Sequence, residues 1–381
     1  MALSLRQLSS LAEITADQWN AIANPPGQIF NPFTSHAFLY ALETSGSATE
    51  RTGWAPFHLV LEDKKNIVGL VPCYLKNHSM GEYVFDHGWA DAFARAGGSY
   101  YPKLQVSVPF TPATGPRLLA ATDKHKTALA QGLIAMADQI GASSVHQTFV
   151  PPADWAAAPE SWLKRQDIQF HWHNQNFSSF ADFLASLSSS KRKNIRKERQ
   201  AVADNHITFE QLTGADLTEK HWDHFFKFYM DTGARKWGRP YLTRKFFSAI
   251  NETMSEQTLL VLAKREGKTI AGALNFIGGN TLYGRNWGCA EDHPFLHFET
   301  CYYQAIDFAI ARGLKVVEAG AQGEHKLARG YLPVKTHSLH HFAHKGLSRA
   351  VSEYLEQERA SIDENQEVLT AHSPFKRMES E

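Results

Sequence analysis

The sequence is poor in cysteine, in net charge and in long apolar runs, and each shortage excludes a class of protein. Cys73, Cys289 and Cys301 have no CxxC spacing and are odd in number, so we expect reduced thiols rather than a disulfide framework. Thirty-nine basic and 39 acidic residues cancel, which disfavours non-specific nucleic-acid binding through a global positive field. No apolar run approaches the roughly 18 residues of a membrane span, and the N-terminus lacks the apolar region of a signal peptide.

What is present is typical of a protein with large cores. The 381 residues are 43% hydrophobic and 12% aromatic, enough for two or three domains. Strand-like and helix-like segments alternate throughout, which predicts a mixed α/β (α+β) fold. We expect a cytoplasmic protein, with peripheral membrane contact left open.

The first half combines a hairpin, further strands and long helices. Turn residues 62–66 predict a hairpin between strands 57–61 and 67–75, and a Ser cap with apolar spacing predicts a helix over 35–45. The remaining predicted elements of this half are helices at 17–23, 123–140 and 154–165, strands at 83–86, 103–108, 144–150 and 169–173, and an aromatic loop at 89–101.

The second half repeats this order of elements. A hairpin is predicted around Glu266-Gly-Lys268, and Gly313 is a typical left-handed end for the helix before it. The predicted helices are 180–187, 191–203, 219–232, 244–251, 297–312 and 347–358, and the predicted strands are 207–211, 259–265, 269–277, 281–288, 314–319 and 338–344. The repeated order indicates a tandem duplication, with one domain over 1–176 and a second over 177–381.

Four stretches carry a resemblance to a known family. They are His171-Trp-His-Asn174, Ser190-Lys-Arg-Lys-Asn-Ile-Arg-Lys-Glu-Arg199, Tyr283-Gly-Arg-Asn-Trp-Gly288 and Gly320-Ala-Gln-Gly-Glu-His-Lys-Leu-Ala-Arg-Gly-Tyr-Leu-Pro333. With the element order, they make the chain resemble FemAB-like "peptidoglycan biosynthesis/recognition" proteins of the acyl-CoA N-acyltransferase (GNAT) superfamily. The resemblance covers nearly the whole chain. It implies two tandem GNAT-like domains, each with a mixed, largely antiparallel sheet flanked by helices, and an active site in the second.

The resemblance makes Gly320–Pro333 the expected meeting place of acyl donor and amine acceptor. Acyl transfer to an amine needs a base and donors for the oxyanion. Glu324 or His325 is the predicted base, and the sequence does not decide between them. Lys326 and Arg329 are predicted to pair with phosphate or carboxylate, and Gln322 to contact a substrate. The competing interpretation is a polar turn between two secondary-structure elements.

Two further segments are predicted to bind substrate. Arg192, Arg196 and Arg199 share a helix face that could hold phosphate, although charge runs are usually solvated surfaces. Alternation predicts that Tyr283, Arg285 and Trp287 share one face of a strand. Tyr302 is also a candidate, although a tyrosine at helical spacing is more often packing.

Other chemistries have less support. The loop lacks the GxxxxGK[ST] spacing of a P-loop and departs from the Q/R-x-x-G-x-G/A pattern of CoA-binding GNAT enzymes, although the helix N-terminus near His297–Thr300 could hold phosphate. No HExxH or paired-Cys pattern exists, so we predict no metal. No GxSxG motif exists either, and Cys301 is predicted to lie in a helix core.

The predicted function is N-acyl transfer from an acyl-CoA or acyl carrier protein thioester, as co-substrate, to an amine. No tightly bound cofactor is expected. The acceptor could be a cell-envelope precursor or a long-chain, sphingoid-type amine, and an acyl carrier protein could be a partner. The alternatives are a tRNA-dependent Fem-type peptidyltransferase, the one case in which nucleic acid would bind, and a non-catalytic glycan or lipid recognition module.

Overall fold

The computed structural model describes residues 3–236, 240–320 and 323–376, which divide into two compact units. Unit 1 comprises Met1–Ile168 and Lys335–Glu364, and unit 2 comprises Gln169–Val334 and Asn365–Glu381. The predicted boundary at residue 176 lies a few residues beyond the observed division. The prediction also assigned all of 177–381 to one domain, whereas the structure joins 335–364 to unit 1.

The strands of unit 1 form two groups. One group is a four-stranded sheet in the order β1-β3-β4-β7, and in the other β2, β5, β6 and β8 are neighbours in that order. Their bounds are β1 Ser4–Leu8, β2 Trp54–Pro56, β3 His58–Asp63, β4 Asn66–Val71, β5 Cys73–Lys76, β6 Lys103–Val106, β7 Leu119–Ala120 and β8 Ser144–Thr148.

Five helices belong wholly to unit 1. They are α1 Ala16–Ala23, α2 His36–Thr44, α3 His87–Arg95, α4 Asp123–Ile140 and α5 Pro152–Ala157. The longest of them, α4, begins where the Thr122 side chain accepts from the backbone N–H of His125 and ends at Gly141 in the left-handed conformation. Its buried residues, Leu129 and Leu133 among them, pack into the unit 1 core. The predicted helix over 123–140 is therefore confirmed.

Three elements contain residues of both units: β9 Leu163–His173, β15 Leu332–Phe342 and α12 Lys345–Ala371. The second half of β15 belongs to unit 1 because Ser338–Phe342 pairs antiparallel with β8. The first half of α12 also belongs to unit 1, because Leu347, Val351 and Leu355 pack in one cluster with Trp89 and Tyr100. These pairings and contacts are long-range in sequence, so a duplication inferred from element order did not predict them.

Three predictions for unit 1 are wrong. Residues 83–86 form no strand, residues 89–95 of the predicted aromatic loop belong to α3, and the helix predicted over 154–165 ends at Ala157. The first two errors have one cause, a buried ion-pair network around Lys103. The Lys103 ammonium donates to Glu82 at 2.8 Å and to Asp86 at 2.5 Å, and both carboxylates are nearly inaccessible. This network holds the chain in an irregular path.

Unit 2 is built on a mixed sheet in the order β10-β11-β12-β13-β14, followed by the end of β9. The bounds of its own strands are β10 Ile207–Leu212, β11 Thr258–Arg265, β12 Lys268–Ile277, β13 Thr281–Cys289 and β14 Val316–Glu318. Its helices are α6 Phe180–Ser186, α7 Ser189–Asp204, α8 Glu219–Lys236, α9 Arg244–Met254, α10 Leu296–Phe298 and α11 Gln304–Ala311. The predicted hairpin at Glu266-Gly267 is confirmed, with β11 and β12 antiparallel.

Each unit contains one parallel strand pair joined through a helix. In unit 1, Leu104–Val106 of β6 pairs with Val145–Gln147 of β8 through α4. In unit 2, Thr281–Tyr283 of β13 pairs with Val316–Glu318 of β14 through the helix that contains α11. The other strand pairs of both units are antiparallel among the pairings that the described residues show. The repeat therefore agrees with the tandem order seen in the sequence.

Candidate active site

The candidate site lies in unit 2, at the point where the parallel strands β13 and β14 separate. Their pairing ends at Tyr283 and Glu318, whereas β13 continues to Cys289. Beyond that point the strand borders a cleft of about 100 Å³. Glycine at position 284 permits the close approach of β13 to β14, because a Cβ there would lie 3.2 Å from the carbonyl oxygen of Glu318. Polar or aromatic side chains that line the cleft include Asn275, Arg285, Asn286, Trp287, His297 and Tyr302.

A β-bulge brings Arg285 and Trp287 to this cleft. The register of β13 against β12 shifts between Asn275↔Gly284 and Leu274↔Asn286, which leaves Arg285 as the extra residue. A bulge re-aims side chains and interrupts the two-residue alternation. The predicted placement of Arg285 and Trp287 in one site is therefore observed, although strict alternation is not the cause.

A widened helical turn supplies the opposite wall. Glu299–Tyr303 forms a single π-helical turn between α10 and α11, a feature frequent at functional sites. Cys301 and Tyr302 line the cleft, whereas the neighbouring Tyr303 is fully buried. The prediction that Cys301 lies in a helix core is therefore wrong. The extra residue in the turn rotates the side chains relative to regular helical spacing.

The loop predicted at 320–333 forms a short 3₁₀ turn over Glu324–Arg329. Gly323 and Gly330 flank it with φ of 121° and 91°. The space at Gly323 is filled by the ring of His325, since a Cβ at Gly323 would lie 2.5 Å from His325 Cε1. Only glycine combines this backbone conformation with this contact. Gln322, predicted to contact substrate, lies outside the described residues.

His325 is joined to the cleft wall through Tyr302. Its Nε2 lies 2.9 Å from the Tyr302 hydroxyl, and its ring packs against Phe298 and Tyr302. Desolvation, with the charges of Lys326 and Arg329, holds the pKa of His325 below its ordinary value. Burial raises the pKa of Tyr302. A neutral imidazole therefore faces a protonated phenol at neutral pH.

Arg329 fixes the position of this loop. Its Nη2 and Nε donate to the two oxygens of Glu198, at 2.7 and 3.1 Å, and its Nη1 donates to the carbonyl of His325 at 2.6 Å. The guanidinium also lies 3.5 Å from the centre of the Phe298 ring. Tyr303 donates a further hydrogen bond to Glu198. Because these nitrogens are already engaged, we assign Arg329 a positioning role instead of the predicted substrate contact.

Lys326 is buried beneath the same turn. Its side chain is nearly inaccessible, and Nζ donates to the carbonyl of Gly320 at 3.2 Å. Burial lowers the pKa of Lys326 to about 8. Glu324, the other candidate base, is exposed to solvent, and so is His325, so exposure does not distinguish them. Of the two predicted bases, only His325 makes a hydrogen bond to a side chain of the cleft wall among the residues that the structure describes.

A second, larger lobe of about 470 Å³ adjoins the cleft. Trp287 and His297 border both spaces, with their ring centres 5.2 Å apart. The lobe is aromatic, but Glu291 and Asp292 also line it. These carboxylates precede the helix N-terminus at which phosphate was predicted. Asp292 disfavours a phosphate there, although isolated helix N-termini attract anions. Glu291 contributes less, because it is paired with Arg265 and contacts His293.

The arginines of α7 do not line the cleft. Arg192 donates to the carbonyl of Leu187 at 3.2 Å, and Arg196 is exposed beside a separate groove. Arg199 binds Glu299 through two hydrogen bonds and Asp307 through one, at 2.8 to 3.0 Å. Phosphate binding by Arg192 or Arg196 therefore stays a prediction. Arg199 is held by carboxylates that lie 100 and 108 positions away in sequence.

Sequence reasoning missed four contributors to the site. Glu198, Asn275 and Asn286 were not singled out, and His297 was considered only as part of a helix N-terminus. Glu198 carried a detectable signal, because it is the one acid in the basic run 191–199. Its partner Arg329 lies 131 positions away, so sequence spacing did not connect them.

The corresponding strand end in unit 1 is held by a buried arginine, beside a separate cavity of about 370 Å³ that Arg117 and Gln147 line. Thr148 follows the paired segment of β8, and its carbonyl accepts from Arg117 Nε at 2.7 Å. The Arg117 guanidinium is buried and also donates to the carbonyls of Ala113 and Gly115. Gln105 of β6 bonds the Thr148 hydroxyl at 3.1 Å. The candidate site is therefore assigned to unit 2.

A family model described as peptidoglycan biosynthesis/recognition, FemAB-like, matches residues 10–377. The chain belongs to the FemAB-like family. Membership supports a transferase of acyl or aminoacyl groups in cell-envelope synthesis as the broad functional class. No curated protein matches the sequence.

Solved structures show the same fold at low sequence identity. FemX is similar with a TM-score of 0.55 and 11% identity, over 89% of this chain and 98% of FemX. A conserved protein of unknown function from Bacteroides thetaiotaomicron is similar with a TM-score of 0.52 and 13% identity, over 88% and 99%. L-PGS from Bacillus licheniformis is similar with a TM-score of 0.50 and 10% identity, over 92% and 99%. The predicted fold class, two tandem GNAT-like domains with mixed sheets, is confirmed.

The described part of the chain shows neither a metal-ligand cluster nor a membrane-crossing helix. Within residues 3–236, 240–320 and 323–376, no three histidine, cysteine or acidic side chains come together as metal ligands. No helix in these ranges is long and apolar enough to cross a bilayer.

Proposed function

We propose that the protein is an N-acyltransferase that moves an acyl group from a thioester, carried by CoA or an acyl carrier protein, to an amine. The observation that carries the proposal is the His325–Tyr302 pair at the edge of the cleft, with a 2.9 Å hydrogen bond between them. It joins a neutral imidazole to a protonated phenol. Proton removal and proton donation, the two transfers that the reaction needs, thus have a candidate group each.

His325 is the proposed base. In the tautomer that carries its proton on Nε2, the ring donates to the Tyr302 oxygen, and Nδ1 can accept a proton. The amine nitrogen attacks the thioester carbonyl, forming the C–N bond, and its surplus proton passes to Nδ1. The lowered pKa of His325 keeps the ring neutral before this step. The turn held by Arg329 and Glu198 limits the movement of the ring.

Tyr302 is the proposed acid. Its hydroxyl proton stabilises the tetrahedral oxyanion and then passes to the sulfur as the C–S bond breaks. The imidazolium of His325 returns a proton to the phenolate through the hydrogen bond between them. The products are an amide and a free thiol, and the Tyr302 hydroxyl is restored. The His325 ring is left with its proton on Nδ1, and exchange with solvent at this exposed side chain returns it to the Nε2 tautomer.

The two lobes suit two different substrates. Arg285, Asn275 and Asn286 line the smaller space, which suits the polar acyl thioester group. Aromatic rings and the carboxylate of Asp292 line the larger space, which suits a basic amine. Glu291 also lines it but is already paired with Arg265 and His293. Trp287 and His297, between the lobes, are where donor and acceptor would meet.

Thiol release from a panel of short- and long-chain acyl-CoA and carrier-protein thioesters with candidate amines tests the proposal. We expect His325→Asn and Tyr302→Phe each to lower kcat about 10²-fold or more. His206→Asn is the matched control, because His206 is exposed in unit 2 and its φ of 56° suits asparagine. Full activity in His325→Asn would exclude the proposed base.

Two alternative functions predict different experimental results. If aminoacyl-tRNA is the donor, thioesters release no thiol, and transfer of a labelled amino acid to a muropeptide precursor is abolished by ribonuclease. If the protein only recognises a glycan or lipid, ligand binding survives the combined Glu324→Gln and His325→Ala substitutions and no turnover is seen. Membership of the FemAB-like family is compatible with both.

A further inference from the structure

Helix α7 presents a cationic surface, because the carboxylate within its basic segment, Glu198, is engaged by another element. Glu198 is bound to Arg329, and Arg199 is bound to Glu299 and Asp307. The other basic residues of this segment are Lys193, Arg196 and Lys197, which are exposed, and Lys191 and Arg192, which are half-buried. Within the described residues, none of these five forms an ion pair. A chain with zero net charge thus carries a concentrated positive patch.

The position of these cations is unfavourable for the helix itself. They occupy the first half of α7, whose first turn holds no acidic residue. Positive charge near a helix N-terminus opposes the helix dipole, at about 0.3 to 1 kcal/mol per group. Helix stability therefore does not explain the pattern. A local rule broken in this way points to a function.

An apolar groove of about 610 Å³ runs beside the cationic face. Arg196 lines it, and so joins the groove to the charged patch. Its apolar wall is formed by α6, α7 and β10 and consists of Phe180, Leu184, Val202, Ile207 and Phe209. The one carboxylate on its wall, Glu299, is neutralised by Arg199. A ligand that fits both surfaces has an anionic head and an apolar chain.

The groove favours alkyl chains over nucleic-acid bases. Bases bind proteins by stacking on aromatic faces. The guanidinium of Arg199 already covers Phe180, at 4.3 Å from the ring centre. Leu184, Val202 and Ile207 form the floor of the groove but are nearly inaccessible. The apolar surface open to an acyl chain comes from the exposed Ala181 and Ala203 and from the half-buried Phe209.

We propose that the α7 face docks on an anionic lipid bilayer, with the five cations on lipid phosphates and the groove on the acyl-chain boundary. The attraction would be mainly electrostatic, as for basic segments on anionic membranes. The docking does not depend on the proposed acyl transfer. Binding can therefore be measured without any substrate.

Cosedimentation of the full chain with vesicles tests the proposal. We expect binding to phosphatidylcholine vesicles that contain phosphatidylglycerol, release by high salt, and little binding to phosphatidylcholine alone. Reversing two exposed charges, Lys193→Glu with Lys197→Glu, should lower the partition coefficient about tenfold or more. Lys220→Glu with Lys245→Glu, on exposed positions of α8 and α9, makes the same change in net charge and should leave binding close to wild type.

A second pair of variants tests the groove without changing the cations. Ala203→Glu places a carboxylate in the groove, whereas Ala185→Glu places one on an exposed part of α6 that does not line it. Only the first should weaken vesicle binding. Equal binding to neutral vesicles, or unchanged binding by the α7 double variant, would overturn the proposal. Binding of tRNA through the same lysines, with no binding to vesicles, would replace the bilayer with RNA as the partner.

Discussion

Glu198 and Arg329 form a two-pronged ion pair, with donor–acceptor distances of 2.7 and 3.1 Å, across 131 positions of sequence. Arg329 also bonds the carbonyl of His325, whose ring bonds Tyr302. The basic motif of α7 and the glycine-rich loop are thereby one structural unit. Each motif supplies half of the support for the proposed base.

The Glu198–Arg329 pair is predicted to position His325. Glu198→Gln should lower kcat with little change in KM, and should also lower stability, because breaking a buried pair leaves one charge uncompensated at about 3–5 kcal/mol. Glu198→Leu with Arg329→Met should restore the melting temperature but not kcat. If the double variant recovered both kcat and the melting temperature, the role of the ion pair would be purely structural. Steady-state kinetics and thermal unfolding measure the two effects separately.

Activity is predicted to rise with pH through an acidic limb below the ordinary histidine range of about 6.5. The proposed base works as the neutral ring, and its environment lowers the pKa of His325, so protonation inactivates only at more acidic pH. Replacing Lys326, whose charge contributes to that lowering, by methionine should move the limb to higher pH. The measurement is kcat/KM against pH for both proteins, and a limb that stays in place would argue against His325.

Lys326→Met is also predicted to stabilise the fold near neutral pH. Burial lowers the pKa of Lys326 to about 8 from an unfolded value of 10.5, so the unfolded chain binds more protons between these values. The destabilisation is fully present below about pH 8 and disappears as the pH rises towards 10.5. The variant should gain at most about 3 kcal/mol in the free energy of unfolding. The contribution of the lost hydrogen bond to Gly320 reduces this gain. The difference in melting temperature between variant and wild type should be larger at pH 7 than at pH 10.

Gly323→Ala is predicted to lower kcat about 10²-fold, because its Cβ would displace the ring of His325. Gly267→Ala is the matched control. Gly267 also has a positive φ, of 75°, but a Cβ there meets nothing within 4 Å. Both variants should lose stability through backbone strain, and only Gly323→Ala should lose activity beyond that. Equal kinetic effects would mean that strain alone is responsible.

Thiol reagents are predicted to inactivate the protein through Cys301, which lines the cleft. Cys73 is inaccessible, and burial raises the pKa of its thiol, so it should react slowly. The fraction of activity lost to N-ethylmaleimide should fall sharply in Cys301→Ala. Cys289 lines the larger lobe, so any loss that remains should disappear when Cys289→Ala is added. A bound acyl thioester should slow the inactivation. Labelling of Cys301 without loss of activity would contradict its position beside the reacting groups.

The sequence by itself determined most of the elements and the family. Caps and apolar spacing predicted α4, turn residues predicted the hairpin at Glu266-Gly267, and the four motifs indicated a FemAB-like protein. These signals are local, so they survive without knowledge of contacts. The errors at 83–86 and 89–95 arose where a buried ion-pair network around Lys103 overrode local preference.

Only the tertiary structure decided how the motifs work. It distinguished His325 from Glu324 through the bond to Tyr302, paired Arg199 and Arg329 with distant carboxylates, and placed Cys301 in the cleft through a π-helical turn. Charge partners 100 or more residues apart and a single extra residue in a helix leave no periodic trace in sequence. The glycine-rich loop was recognisable from its sequence motif. Only the fold identified His325 as the proposed base and the Glu198–Arg329 pair that positions it.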